Sequence, residues 1–193
     1  MSSVELTNPL LTPVLHAAAE GKANPVVLID GPSGSGKSTL ADDLVAAWRG
    51  AHAPVLVRLD DIYPGWNGLD AAAAHLTENV LLPRAGGRPA AWQRWDWPAG
   101  RAAEWHPVDP LRPLIVEGCG TLASANLVLS DIRVWLEADD GVRKRRALAR
   151  DGALFGDHWA EWQGEWEAYC ARETPERWAD IRLFSPDDEA SRD

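Results

Sequence analysis

The stretch VVLIDGPSGSGKST, residues 26–39, constrains this chain most. Five largely apolar residues follow Pro25, which predicts a short buried strand over Val26–Asp30. Residues 37–49 then place Leu40, Leu44 and Trp48 on one face, with Gly50 as a stop, which predicts a helix. Between them, Gly31 to Ser38 matches G-x-x-x-x-G-K-[ST]. Glycines let successive backbone N–H groups turn inward as an anion nest, and the helix start adds its positive end. Gly31, Ser33, Gly34, Ser35, Gly36, Lys37, Ser38 and Thr39 are therefore expected to cradle phosphates, Lys37 reaching the outer ones and Ser38 ligating Mg²⁺.

The remainder alternates strand and helix patterns. Strands are expected at Val55–Leu59, Leu114–Glu117, Ile132–Leu136 and Ile181–Phe184. Helices are expected over 68–82, 139–151 and 157–172, and residues 5–21 have helical spacing interrupted by Pro9 and Pro13. Residues 83–112, rich in Pro, Gly, Trp and Arg, lack clear periodicity and read as a long functional loop. This order implies an α/β fold, a parallel sheet of about five strands with helices on both faces. At 193 residues one domain is expected, with a frayed tail over 185–193.

Composition narrows the function. The net charge of −10 makes a general nucleic-acid or anionic-membrane binder a poor expectation. No apolar run reaches the roughly 20 residues needed to span a bilayer, and the first residues lack a signal-peptide pattern. The two cysteines suggest a reducing compartment, so a soluble cytoplasmic protein is expected, monomeric or homodimeric.

Acidic residues fall where an α/β sheet places ligands, beyond the carboxyl ends of strands. VLVRLDDIY puts Asp60 and Asp61 after the second strand, and LIVEGCG puts Glu117 at the end of the third. An aspartate can orient an acceptor hydroxyl and take its proton, while a second carboxylate can help fix a metal. Arg143, Arg146 and Arg150, spaced i, i+3, i+7, share a helical face in RKRRALAR. In an acidic chain they suggest a clamp on phosphate oxygens. Trp159, Trp162, Trp166 and Tyr169 also share a face and read as core.

The ordered set GPSGSGKST, LDDIYPGW, WDW, LIVEG and RKRRALARD resembles the P-loop kinases related to uridine kinase and phosphoribulokinase, over roughly residues 25–185. The resemblance implies a P-loop NTPase three-layer sandwich that uses ATP and Mg²⁺ to phosphorylate a small-molecule hydroxyl acceptor. It implies Asp60 as base, with Tyr63 as the aromatic that follows it, and Glu117 assisting Ser38 at the metal. Residues 61–112 would be the acceptor-binding insert and 139–156 the lid, with Arg143, Arg146, Arg150 and Asp151 at lid positions. The lid departs from the family at Ala147 and Phe155, where further arginines are common. Trp95, Asp96 and Arg101, with Asp61, would hold the acceptor. The histidine by which nucleoside kinases read a base is replaced by Pro98-Ala99-Gly100. The alternative is a P-loop ATPase or regulatory nucleotide-binding module with no acceptor.

Overall fold

The hydrophobic run at residues 26–30 becomes the central strand of a parallel sheet. The computed structural model describes residues 8–187, and not the side chains of 151–155. Five strands, β1 (Val26–Asp30), β2 (Val55–Arg58), β5 (Leu114–Glu117), β6 (Ile132–Glu137) and β7 (Ile181–Phe184), pair in the order β2-β5-β1-β6-β7. All these pairings are parallel. A three-layer P-loop NTPase sandwich is thus the architecture, as the sequence implied. Every residue of β1 and β5 is buried, as expected of strands covered on both faces. Helix α1 (Leu11–Glu20) and helix α2 (Lys37–Ala47) pack through Leu11, Val14, Leu40 and Leu44 against Val27, Ile29 and Ile115. The other face carries Val26, Leu28, Leu114 and Val116 against Trp162, Trp166 and Tyr169.

Three elements differ from the sequence reading. Helix α3 (Leu69–His75) widens to π geometry over Leu76–Leu81 before α4 (Leu82–Ala85). The widening directly precedes Pro83, whose ring would clash with a regular helix's carbonyl four residues back. Residues 90–108 are no loop but an antiparallel hairpin, β3 (Ala90–Asp96) with β4 (Arg101–Val108). Its register shifts between Gln93 and Trp95, and most of its residues are half-buried or exposed, so no clean alternation marks it. The two helices expected after β6 are one 34-residue helix, α6 (Asp140–Glu173), following the short α5 (Ser124–Leu127). Asp139 caps α6 by accepting from the N–H groups of Gly141 (2.9 Å) and Val142 (3.3 Å). Gly152 and Gly156 each cost an isolated helix about 1 kcal/mol. The stripe of Trp162, Trp166 and Tyr169 is buried core as expected and offsets that cost, while Trp159, the fourth residue of the expected stripe, is only half-buried.

The strand order places the chemistry. Asp60 lies in the 3₁₀ turn Leu59–Asp61 that ends β2, Glu117 ends β5, and the glycine loop follows β1. All three meet at the carboxyl edge of adjacent strands. Ser185, the first residue of the expected tail, donates its N–H to the Glu137 carbonyl (2.7 Å); residues 188–193 lie outside the described residues. No helix among the described residues is long and apolar enough to cross a membrane.

Candidate active site

The glycine loop is held open by contacts that only glycine permits. Gly34 has φ +80°, and a Cβ there would lie 1.9 Å from the backbone oxygen of Arg143 in α6. At Gly31, φ +145°, a Cβ would lie 2.0 Å from the Leu136 oxygen. The loop therefore rests directly on β6 and the first turn of α6. The Trp162 indole N–H donates to Ser33 Oγ at 2.8 Å, a second tie to α6.

Lys37 is buried, and its Nζ donates to the carbonyls of Gly31 (2.8 Å) and Pro32 (2.9 Å), which hold it folded over the nest. The Cys119 sulfur lies 3.8 Å from the same Nζ. Burial pushes this thiol up, despite the lysine charge, so it stays protonated and is no nucleophile.

Below the loop, Asp30 is fully buried. It accepts from the N–H groups of Gly31 (2.7 Å), Gly120 (3.1 Å) and Leu122 (2.8 Å) and from the Tyr169 hydroxyl (2.7 Å). Burial raises its pKa against these bonds. The carboxylate pins together the phosphate loop, the loop after β5 and the far half of α6. Its role was not read from the sequence, because an aspartate ending a strand before glycine looks like any turn residue.

A cleft of about 710 Å³ opens above the loop, lined by Lys37, Ser38, Asp60, Glu117, Arg146 and Arg150, among others. Glu117 is almost wholly buried, and its Oε1 has no hydrogen-bond partner. Burial first, and the nearby Asp60 charge second, push its carboxyl up to about 7, while Lys37, Ser38 and Arg58 pull the other way. Arg58 stands 3.6 Å from that oxygen and bonds Asp42 of α2. A buried, unsatisfied carboxylate oxygen beside a loop hydroxyl fits a hard divalent cation. Among the described residues no cluster of three or more His, Cys, Asp or Glu could hold a metal unaided. Mg²⁺ here would therefore lean on Ser38, Glu117 and phosphate oxygens.

Asp60 is about half exposed, and its Oδ2 lies 3.7 Å from Arg150. Its backbone carbonyl accepts from the Trp97 indole at 2.9 Å, which fixes the turn against the hairpin. Trp97 packs on Trp66 (centroids 4.9 Å apart), and Trp66 stacks on His158 of α6 (4.7 Å). These aromatics form a wall beside Asp60, and only the tryptophan-rich sequence hinted at it. Asp61 points toward the hairpin; burial and Asp60 raise its pKa, while Arg58, Arg94 and His106 oppose them.

The remaining expected residues are placed as follows. Arg146 and Arg150 line the cleft, but Arg143 turns to Asp140 (2.7 Å) and Gln163 (3.2 Å) and lies over Trp159. Tyr63 is buried, its hydroxyl donating to the Cys119 carbonyl at 2.8 Å and its ring meeting Trp162 edge-on, so it braces the site from behind. Gly31 and Ser35 are buried within the loop, whereas Ser33, Gly34, Gly36 and Thr39 line the cleft. Trp95, Asp96 and Arg101 lie on the hairpin and not among the residues lining the cleft. Asp96 accepts from Ala99 N–H at 3.1 Å and so shapes the hairpin turn. The side chains of Asp151 and Phe155 lie outside the described residues.

No family model matches this chain. No curated protein matches it either. Solved structures do. One is described as a "possible uridine kinase" from Bacillus stearothermophilus, 17% identical, with a TM-score of 0.63 over 90% of this chain and 96% of that one. Another is described as a "putative fructose transport system kinase" from Silicibacter sp. TM1040, also 17% identical, with a TM-score of 0.52 over 91% and 99%. At that identity the likeness concerns the fold. The chain has the fold of the uridine kinase-like P-loop kinases, in agreement with the ordered motifs of its sequence.

Proposed function

We propose that the protein is a kinase that moves the γ-phosphoryl group of ATP to a hydroxyl of a small molecule, such as a nucleoside, a sugar or a vitamin-like alcohol. The observation that carries this reading is the position of Asp60. Its carboxylate shares one cleft with Lys37, Ser38 and Glu117, at the edge away from β1, where an acceptor can enter. In this reading the loop amides and Lys37 bind the β and γ phosphates. Ser38 and Glu117 hold Mg²⁺, which when bound neutralises phosphate charge. Asp60 orients the acceptor hydroxyl and takes its proton as the oxygen attacks phosphorus. Arg146 and Arg150 lie over the cleft and offset charge on the transferring group. Residues 61–112, carrying helix and hairpin, serve as the acceptor-binding insert, and 139–156 as the lid that excludes water.

Asp60→Asn tests the assignment. The variant keeps the shape of the side chain but cannot accept the proton. Nucleotide affinity should stay within about twofold. Acceptor-stimulated ADP release, screened over nucleosides, sugars and vitamin precursors, should fall by on the order of 10² to 10⁴. Unchanged transfer would remove Asp60 from the base role. ATP turnover indifferent to every acceptor would favour the ATPase alternative.

A further inference from the structure

One contact between the phosphate loop and α6 has no part in the proposed mechanism. The Trp162 indole N–H donates to Ser33 Oγ at 2.8 Å, and Ser33 lines the cleft. We propose that Trp162, far from the loop in sequence, is a positioning residue for phosphate. By donating to Ser33 it turns the serine's own hydrogen into the cleft, toward the phosphate oxygens that Lys37 holds. The inference rests on the reading of the cleft as a triphosphate site.

The indole has no alternative partner. Its N–H is a donor only. The side chain is 5% exposed, and its ring meets Tyr63 edge-on with centroids 4.8 Å apart. Tyr63 is itself fixed, its hydroxyl donating to the Cys119 carbonyl at 2.8 Å. Turned away from Ser33, the N–H would be left unpaired in the core, which costs more than an ordinary hydrogen bond contributes.

This donor decides where the serine hydrogen can go. A hydroxyl has one hydrogen and two lone pairs, and the hydrogen rotates to suit its neighbours. The direction facing Trp162 is closed to it, because two hydrogens would meet there. Among the described residues the other neighbour in reach is Cys119 Sγ, at 3.7 Å. The thiol hydrogen is engaged with the Gly31 carbonyl at 3.3 Å, so the sulfur accepts from Ser33. The same sulfur lies 3.8 Å from Lys37 Nζ. Ser33 and Lys37 thus converge on one atom, and sulfur is a weak acceptor that commits neither.

A phosphate oxygen is a far better acceptor, since hydrogen bonds to charged groups are roughly twice as strong as neutral ones. Brought to Lys37, it draws the Ser33 hydrogen from the sulfur by rotation about Cβ–Oγ. No covalent bond changes, and the hydroxyl keeps its proton. Donating in this way makes Oγ a better acceptor, so the Trp162 bond strengthens with it.

Calorimetric titration of the full chain with tripolyphosphate, without metal, tests this in the native protein, Ser33→Ala, Trp162→Phe and the double variant. Ser33→Ala should bind about ten- to a hundredfold more weakly, the value of a hydrogen bond to a charged group. Trp162→Phe keeps a ring but has no N–H. It should weaken binding about two- to tenfold, the value of a neutral bond. It should add nothing in the Ser33→Ala background, because it acts through that hydroxyl. NMR of the indole N–H groups gives a readout that a mere brace would not move. The Trp162 signal is the one that Ser33→Ala shifts upfield by removing its acceptor. In the native protein tripolyphosphate should drive that signal downfield, and in Ser33→Ala it should not; this holds whether or not Trp162→Phe folds. The proposal is overturned if Ser33→Ala binds within about twofold of the native protein. It is equally overturned if the two single losses multiply in the double variant, or if the Trp162 signal ignores the anion. If the native protein binds neither tripolyphosphate nor ATP, the triphosphate reading fails and the positioning role with it.

Discussion

Replacing Glu117 by glutamine should make the protein more stable and less able to use metal. Folding carries this carboxyl from 4.5 to about 7, chiefly because burial disfavours its charge. The folded state thus holds the proton more tightly than the unfolded chain does. Below pH 4.5 both states are protonated and burial costs little. Between 4.5 and 7 the unfolded state ionises while the folded one resists, so stability falls as pH rises. At about 1.4 kcal/mol for each pH unit between the two values, the cost reaches roughly 3 kcal/mol above pH 7. Glutamine has nearly the same shape and no charge, so Glu117→Gln should recover most of that at pH 8 and almost none at pH 4. For a domain of this size the gain corresponds to about 6–12 °C in Tm. Thermal unfolding of both proteins without nucleotide or metal, across pH 4–8, measures it, and Mg²⁺-dependent phosphoryl transfer should be lost in the variant. A difference in Tm between the two proteins that is flat with pH, or that favours the native protein at pH 8, would refute the reasoning. The cost is then not that of a buried charge.

Gly34→Ala should abolish binding of ATP and of tripolyphosphate alike, since its Cβ would meet the Arg143 oxygen at 1.9 Å and push the loop off α6. Retained tripolyphosphate affinity would show that the loop yields without losing its nest. Asp30→Asn should lower stability by about 1–3 kcal/mol, because one amide oxygen cannot serve three backbone N–H groups and the Tyr169 hydroxyl. Denaturant unfolding reads this directly, and a change under about 0.5 kcal/mol would mean that water replaces the lost acceptor.

Much of the fold was legible because its signals are local. A strand, glycine loop and helix follow one another within residues 26–47, and no tertiary contact is needed to read them. The apolar runs Leu114–Val116 of β5 and Val134–Leu136 of β6 are equally plain, since strands covered on both faces are largely apolar. The hairpin at 90–108 was missed for the converse reason. Beside its own ladder, it is held by a bond from the Gln93 N–H, next to the register shift, to His75 (3.1 Å) and by packing of β3 on the Leu76–Leu81 segment. Those partners are distant in sequence, and they erase the alternation that would announce a strand. The two helices expected over 139–151 and 157–172 join into one because the cost of the glycines between them is small and local, whereas the compensating burial of Trp162, Trp166 and Tyr169 is not.

The candidate site divides the same way. The sequence alone determined which groups carry charge at strand ends: Lys37, Ser38, Asp60, Glu117 and the arginines of α6. Tertiary structure alone decided which of them share a cleft. It kept Arg146 and Arg150 over the loop and turned Arg143 to Asp140, although all three have the spacing of one helical face. It buried Tyr63 behind Cys119 and brought Asn8, Asp43 and Pro186 to one place. Residue type and spacing fix what a side chain can do, because those are properties of the covalent chain. What it faces depends on packing between segments far apart in sequence, and local pattern holds no record of that.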